Sequence, residues 1–200
     1  LEIYLHQKKL LMSAGKLSLV GASFAAGALV GAALSRRPRK SARPRRVFKL
    51  CRRGELASFV KGGHVYSSLD AADGFVHLSD STSVRKVAAA FFKDCADLVL
   101  LEIDSWKFEL DGCEWARDAG APDAAKAPAA ALARCGSANT ARLVHYLFRH
   151  GCVHLYSTAG AAAAATACPM GMVVRQAEVP LVGAEHAFPE WLPPGDAPAA

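Results

Sequence analysis

No two cysteines in the sequence stand close enough to form a Cys-x-x-Cys pair; the six occupy positions 51, 95, 113, 135, 152 and 168. That spacing excludes dithiol and zinc-ribbon motifs, and no metal site is expected. Scattered cysteines with apolar flanks read instead as free thiols, buried as small hydrophobes in a reducing compartment. Acidic residues are absent from Ile3 to Gly54, where 13 of the 24 Lys and Arg lie. Glu2 is the only acid ahead of Glu55, so the rest of the chain sets 11 basic residues against 17 acidic ones. The net charge of +6 therefore belongs to an N-terminal arm. A folded body that is itself acidic is a poor partner for nucleic acid, which needs a positive binding surface. Internal repeats are also missing, which excludes solenoids and propellers. Much of the 52% hydrophobic content is alanine, so a few large side chains must build the core.

The arm, residues 1–46, divides in two. Residues 17–34 (LSLVGASFAAGALVGAAL) are uncharged and, as a helix, span about 27 Å, barely a bilayer core. Residues 35–46 carry seven positive charges and two prolines, Pro38 and Pro44, and read as a solvated linker. Three destinations compete. A membrane anchor would leave the domain on the cytosolic side by the positive-inside rule. An organellar transit peptide, for a mitochondrion or plastid, suits the acid-free, Arg-, Ser- and Ala-rich composition. A secretory signal would expose free thiols to an oxidising compartment.

Residues 47–191 read as one α+β domain. Val47–Leu50 is a short strand, Glu55–Lys61 a short helix ended by Gly62-Gly63, and Gly74–Ser79 an alternating strand with Phe75, His77 and Ser79 on one face. Ser83–Lys93 has helical spacing, and Leu98–Ile103 is a buried strand. Phe108–Trp115 is expected as a strand pair turning at Asp111-Gly112, and Arg142–His150 as a helix stopped by Gly151. Residues 117–141, rich in Ala, Pro and Gly, read as an insertion. Cys152–Ser157 is a further strand, Ala161–Ala165 a helical turn or two, and Met172–Leu181 the last strand. Residues 192–200 are expected to be a disordered tail.

Two short strands each carry a histidine among apolar residues, at His77 and His154. An imidazole in a half-buried strand can donate and accept protons near neutral pH. The structural alternative is a core histidine satisfied by backbone or a carboxylate. Asp70 and Asp73 read equally well as turn residues ahead of Gly74.

The block Asp70-Ala71-Ala72-Asp73-Gly74-Phe75-Val76-His77-Leu78-Ser79 resembles the central motif of the domain of unknown function 952 family. Val47-Phe48-Lys49-Leu50, Tyr66-Ser67-Ser68, Leu98–Leu101, Cys152-Val153-His154-Leu155-Tyr156 and Phe188-Pro189 follow that family's order; Glu114-Trp115 stands for its Trp-Glu stretch with the order reversed, and the Phe-Pro that precedes the family's His-Leu-Tyr is absent here. The resemblance implies an ADP-ribosyltransferase-like fold of two split antiparallel sheets with short helices, behind the N-terminal hydrophobic helix and basic linker. It further implies a cleft for a nucleotide or related small ligand, with an NAD-like cofactor as one candidate. In many members of that superfamily a first-strand histidine contacts the ribose next to nicotinamide; Lys49 holds the comparable place here. If the domain is an enzyme, His77, His154 and Glu114 are its candidate catalytic residues, and Lys49, Tyr66, Asp73, Ser79 and Tyr156 its ligand contacts. The alternative is a non-catalytic binding module tethered to a membrane through residues 17–34.

Overall fold

The hydrophobic run Arg46–Arg52 is strand β1, and its near-continuous burial fits a strand covered on both faces. The computed structural model describes residues 43–110, 112–118, 142–147, 150–157 and 161–194. The hydrophobic segment 17–34, most of the basic linker and residues 119–141 of the Ala-rich stretch lie outside the described residues. Among those described, no helix is long and apolar enough to cross a membrane.

Helix α1 (Arg53–Gly62) follows β1 directly. Its start is held by Glu55 Oε2, which accepts the Arg52 N–H at 2.9 Å, and Gly63 ends it. Helix α2 (Ser68–Asp73) begins at a reciprocal cap: Ser67 Oγ accepts the Asp70 N–H at 3.2 Å and Asp70 Oδ2 accepts the Ser67 N–H at 2.8 Å. Gly74, at φ 76°, closes the helix in a left-handed conformation that a residue with a Cβ resists. Strand β2 (Val76–Ser79), helix α3 (Val84–Phe91), strand β3 (Leu98–Asp104) and helix α4 (Trp106–Leu110) come next. Strands β4 (Cys113–Asp118), β5 (Arg142–Leu147) and β6 (Cys152–Ser157) complete one half of the sheet. Two 3-10 turns, Ala161–Thr166 and Met170–Met172, lead to β7 (Val173–Glu178) and a small pair, β8 (Leu181–Val182) with β9 (Glu185–His186).

The fold is thus α+β, with one large sheet and few short helices. Among the described residues the sheet has seven strands in the order β4-β5-β6-β2-β1-β3-β7, where two separate antiparallel sheets are the sequence expectation. Its joint is narrow: β1 and β2 meet at the single rung Phe48↔Ser79, whereas β1 and β3 pair over their full length from Arg46↔Asp104 to Arg52↔Leu98. Strands β4 and β5 run parallel, and the other pairings are antiparallel.

Two expected elements are different in kind. Arg142–Leu147 is a strand rather than a helix. Leu143 and Leu147 have helical spacing, but Arg-Leu-Val-His-Tyr-Leu also alternates, and partners on both sides decide for the strand. The stretch before Asp111-Gly112 is helix α4, not the first arm of a hairpin; Phe108 becomes fully buried in the core.

Alternation sorts the core. Val47, Cys51, Val76, Leu78, Leu101, Val144, Val153 and Leu155 point to one face, where Phe59 of α1, Phe108 of α4 and Cys168 complete the main cluster. On the other face, Phe48, Leu50, Leu98 and Leu100 are covered by Val84 and Ala88 of α3 and by Leu192. Farther along that second face lies a small cluster of Leu143 and Tyr156, with Phe75 and Ala116 against it. The candidate site is there.

Candidate functional site

Three histidines fall on one rung of the sheet. The register pairs His77 of β2 with His154 of β6, and His154 with His145 of β5. Ring centroids of His77 and His154 are 5.5 Å apart, and those of His145 and His154 are 6.4 Å apart. Phe75 and Tyr156, two residues along their strands, share this face. The Phe75 ring lies 4.4 Å from both His77 and His154 and 4.8 Å from Tyr156.

Asp70 fixes His77. It is fully buried, and its Oδ1 accepts from His77 Nδ1 at 2.8 Å and from the His77 backbone N–H at 2.9 Å. Lys49 Nζ donates to both of its oxygens, at 2.8 and 2.7 Å. The carboxylate thus occupies the opening where β1 and β2 part, taking donors from both strands. Burial alone would raise its pKa, but the His77 ring hydrogen bond and the Lys49 ammonium hold the carboxyl well below the usual carboxylate range. The outer nitrogen, His77 Nε2, meets Asp73 Oδ2 at 3.1 Å. His77 and Asp73 both keep partly exposed side chains. Both carboxylate contacts are hydrogen bonds at once only when the ring carries a proton on each nitrogen.

His154 differs from its neighbour. Burial, then the nearby His77 and His145, push its pKa down to about 3, so the ring is neutral. Its Nδ1 is buried without a hydrogen-bond partner among the described residues. A neutral imidazole with an unsatisfied nitrogen, beside an imidazole oriented by a carboxylate, can exchange hydrogen bonds or protons with a bound group. Among the described residues, no cluster of His, Cys, Asp and Glu has the arrangement of a metal site.

Of the remaining sequence candidates, Tyr156 belongs to this face and Lys49 reaches it through Asp70, while Ser79, Tyr66 and Glu114 lie elsewhere. Tyr156 is buried beside Phe75, and burial followed by the Asp73 carboxylate pushes its phenol up. Ser79 is buried opposite Phe48 at the joint of the sheet. Lys49 is buried, with its ammonium committed to Asp70. Tyr66 packs against the main core, and burial together with the Asp70 carboxylate raises its pKa. Glu114 lies on the outer strand β4, opposite Leu143. Three strand spacings, about 14 Å, separate that strand from β2. The carboxylates gathered at His77 are instead Asp70 and Asp73. Asp70, His145 and Phe75 were not among the residues expected. The Ser67-x-x-Asp70 capping pattern and the alternation around His145 are the signals that point to two of them.

The protein CC0527 of Caulobacter crescentus has a similar structure. Its crystal structure is 21% identical, covers 70% of this chain and 91% of that one, and superposes with a TM-score of 0.44. Its solution structure gives 20%, 70%, 90% and 0.42. No curated protein matches the chain. The family described as "Protein of unknown function (DUF952)" matches residues 50–167, which hold α1 to β6 and the whole histidine face, and the chain belongs to that family.

Proposed function

We propose that the domain binds a nucleotide or related small ligand on the face formed by His77, His154, Phe75 and Tyr156, within an ADP-ribosyltransferase-like fold. One observation carries the reading: a neutral His154 with an unpartnered buried nitrogen lies in register with His77, whose own ring is oriented by Asp70. Aromatic rings beside these imidazoles suit a heterocycle, which stacks on ring faces and hydrogen-bonds at its edge. The narrow joint at Phe48↔Ser79 supports the split-sheet kinship, because it leaves two nearly independent three- and four-strand halves.

If the bound group reacts, Asp70 keeps His77 oriented while the ring gives or takes a proton at Nε2. A second reading, a binding module without chemistry, is favoured by the mutual packing of the four rings. The test is thermal unfolding of the full chain with NAD, ADP-ribose and mononucleotides, for wild type and His77→Ala. A ligand at about 100 times its Kd should stabilise wild type by about 2.7 kcal/mol, with most of the gain lost in the variant. Unchanged melting with every compound would sink the cleft. Binding without turnover of any bound compound selects the second reading.

A further inference from the structure

Resting on that reading, we infer that Asp73 is a specificity-determining residue, which makes the His77 end of the face take an uncharged hydrogen-bonding group and turn phosphate away. Two histidines and a lysine close together suggest an anion site, but the positive charge there is already spent. Lys49 is buried and gives its ammonium to both oxygens of Asp70. Asp70 also holds Nδ1 of His77, and Asp73 holds the other ring nitrogen at 3.1 Å. A group arriving at Nε2 therefore meets a carboxylate at the same contact.

The other imidazole supplies no cation. His154 is neutral, and its Nδ1 is buried without a partner among the described residues. A neutral, buried nitrogen of this kind offers an anion no charge. An anion arriving at Nε2 meets the Asp73 carboxylate already in contact with that nitrogen, and like-charge juxtaposition of this kind is costly. The ligand moiety at this end is accordingly a nucleobase-like ring or a sugar hydroxyl, and any phosphate on the ligand lies away from His77.

The test follows the ring protons of His77 and His154 by NMR in the full chain, with His77→Ala identifying the signals. The titrants are inorganic phosphate and, separately, adenosine, cytidine, guanosine and uridine. At least one nucleoside should move both histidines in wild type, while phosphate leaves His77 in place. In Asp73→Asn, phosphate should now move His77, with binding at least about tenfold tighter than in wild type. Asp73→Ser, of smaller volume, repeats the comparison should the amide disturb α2. Phosphate shifting His77 equally in wild type and both variants would overturn the role of Asp73 while leaving the cleft intact. If no nucleoside moves either histidine in any of the proteins, the cleft reading fails and this inference with it.

Discussion

His154 shows what one side chain costs when the fold forbids its charge. The folded domain keeps the ring neutral down to about pH 3, whereas an unconstrained histidine takes up a proton near 6.5. Between those values the unfolded chain binds the extra proton. Stability is therefore complete above about pH 6.5 and drains away as pH falls, at up to about 1.4 kcal/mol per pH unit. Asp70 acts in the same sense but lower down: its depressed carboxyl stabilises the fold above about pH 4 and loses that contribution only on further acidification. Urea unfolding of wild type and His154→Phe at about pH 5, 6 and 7 separates the two. The wild-type slope should be steeper, and parallel slopes would contradict a buried neutral ring. The apolar flanks of His154 pointed to half-burial in the sequence, but its want of a partner depends on strands far away in the chain.

At the scale of elements, the opening between β1 and β2 is held by a side chain. Asp70 accepts the His77 N–H beyond the single rung that joins the two strands, and Lys49 reaches it from β1. Asp70→Asn leaves a buried ammonium without its counter-charge and should destabilise the domain by about 3–5 kcal/mol. Adding Lys49→Met should cost less in that background than in wild type, with a coupling of about 1–3 kcal/mol by chemical denaturation. Additive effects would mean that the pair is not what holds the opening. The strands bearing His77 and His154 were legible because their alternation matches their burial. Helix α2 was not: six residues are too few for a helical period, and Asp70 and Asp73 serve equally well in turns. Its Ser67-x-x-Asp70 cap was the only local mark. For β5, alternation and helical spacing coexist in Leu143–Leu147, and neighbours far apart in sequence made the choice.

Across the described residues, the clusters on the two faces of the sheet are unequal, and the thiols report on the larger one. Cys51 and Cys168 lie in the main cluster, and burial pushes both thiols up to about 12. Both should resist iodoacetamide in the native protein and react at the rate of global opening, read by mass spectrometry peptide by peptide. Labelling of Cys168 at the rate of an open thiol would show that this side of the core loosens without the rest. The composition already pointed to buried free thiols and placed the positive charge in the arm. It did not reveal that the sheet is continuous, because a one-rung joint is a property of pairing and leaves no local pattern.

The parallel alignment of β4 with β5 sets a lower bound on the tether between them. Asp118 ends one strand and Arg142 starts the next at the opposite end of the sheet edge, beside Cys113. Returning along six residues of strand requires roughly 20 Å of chain. A tight reverse turn is thus geometrically forbidden between them, and an engineer trimming the alanine-rich stretch would have to retain a crossover of about a dozen residues to keep this edge intact.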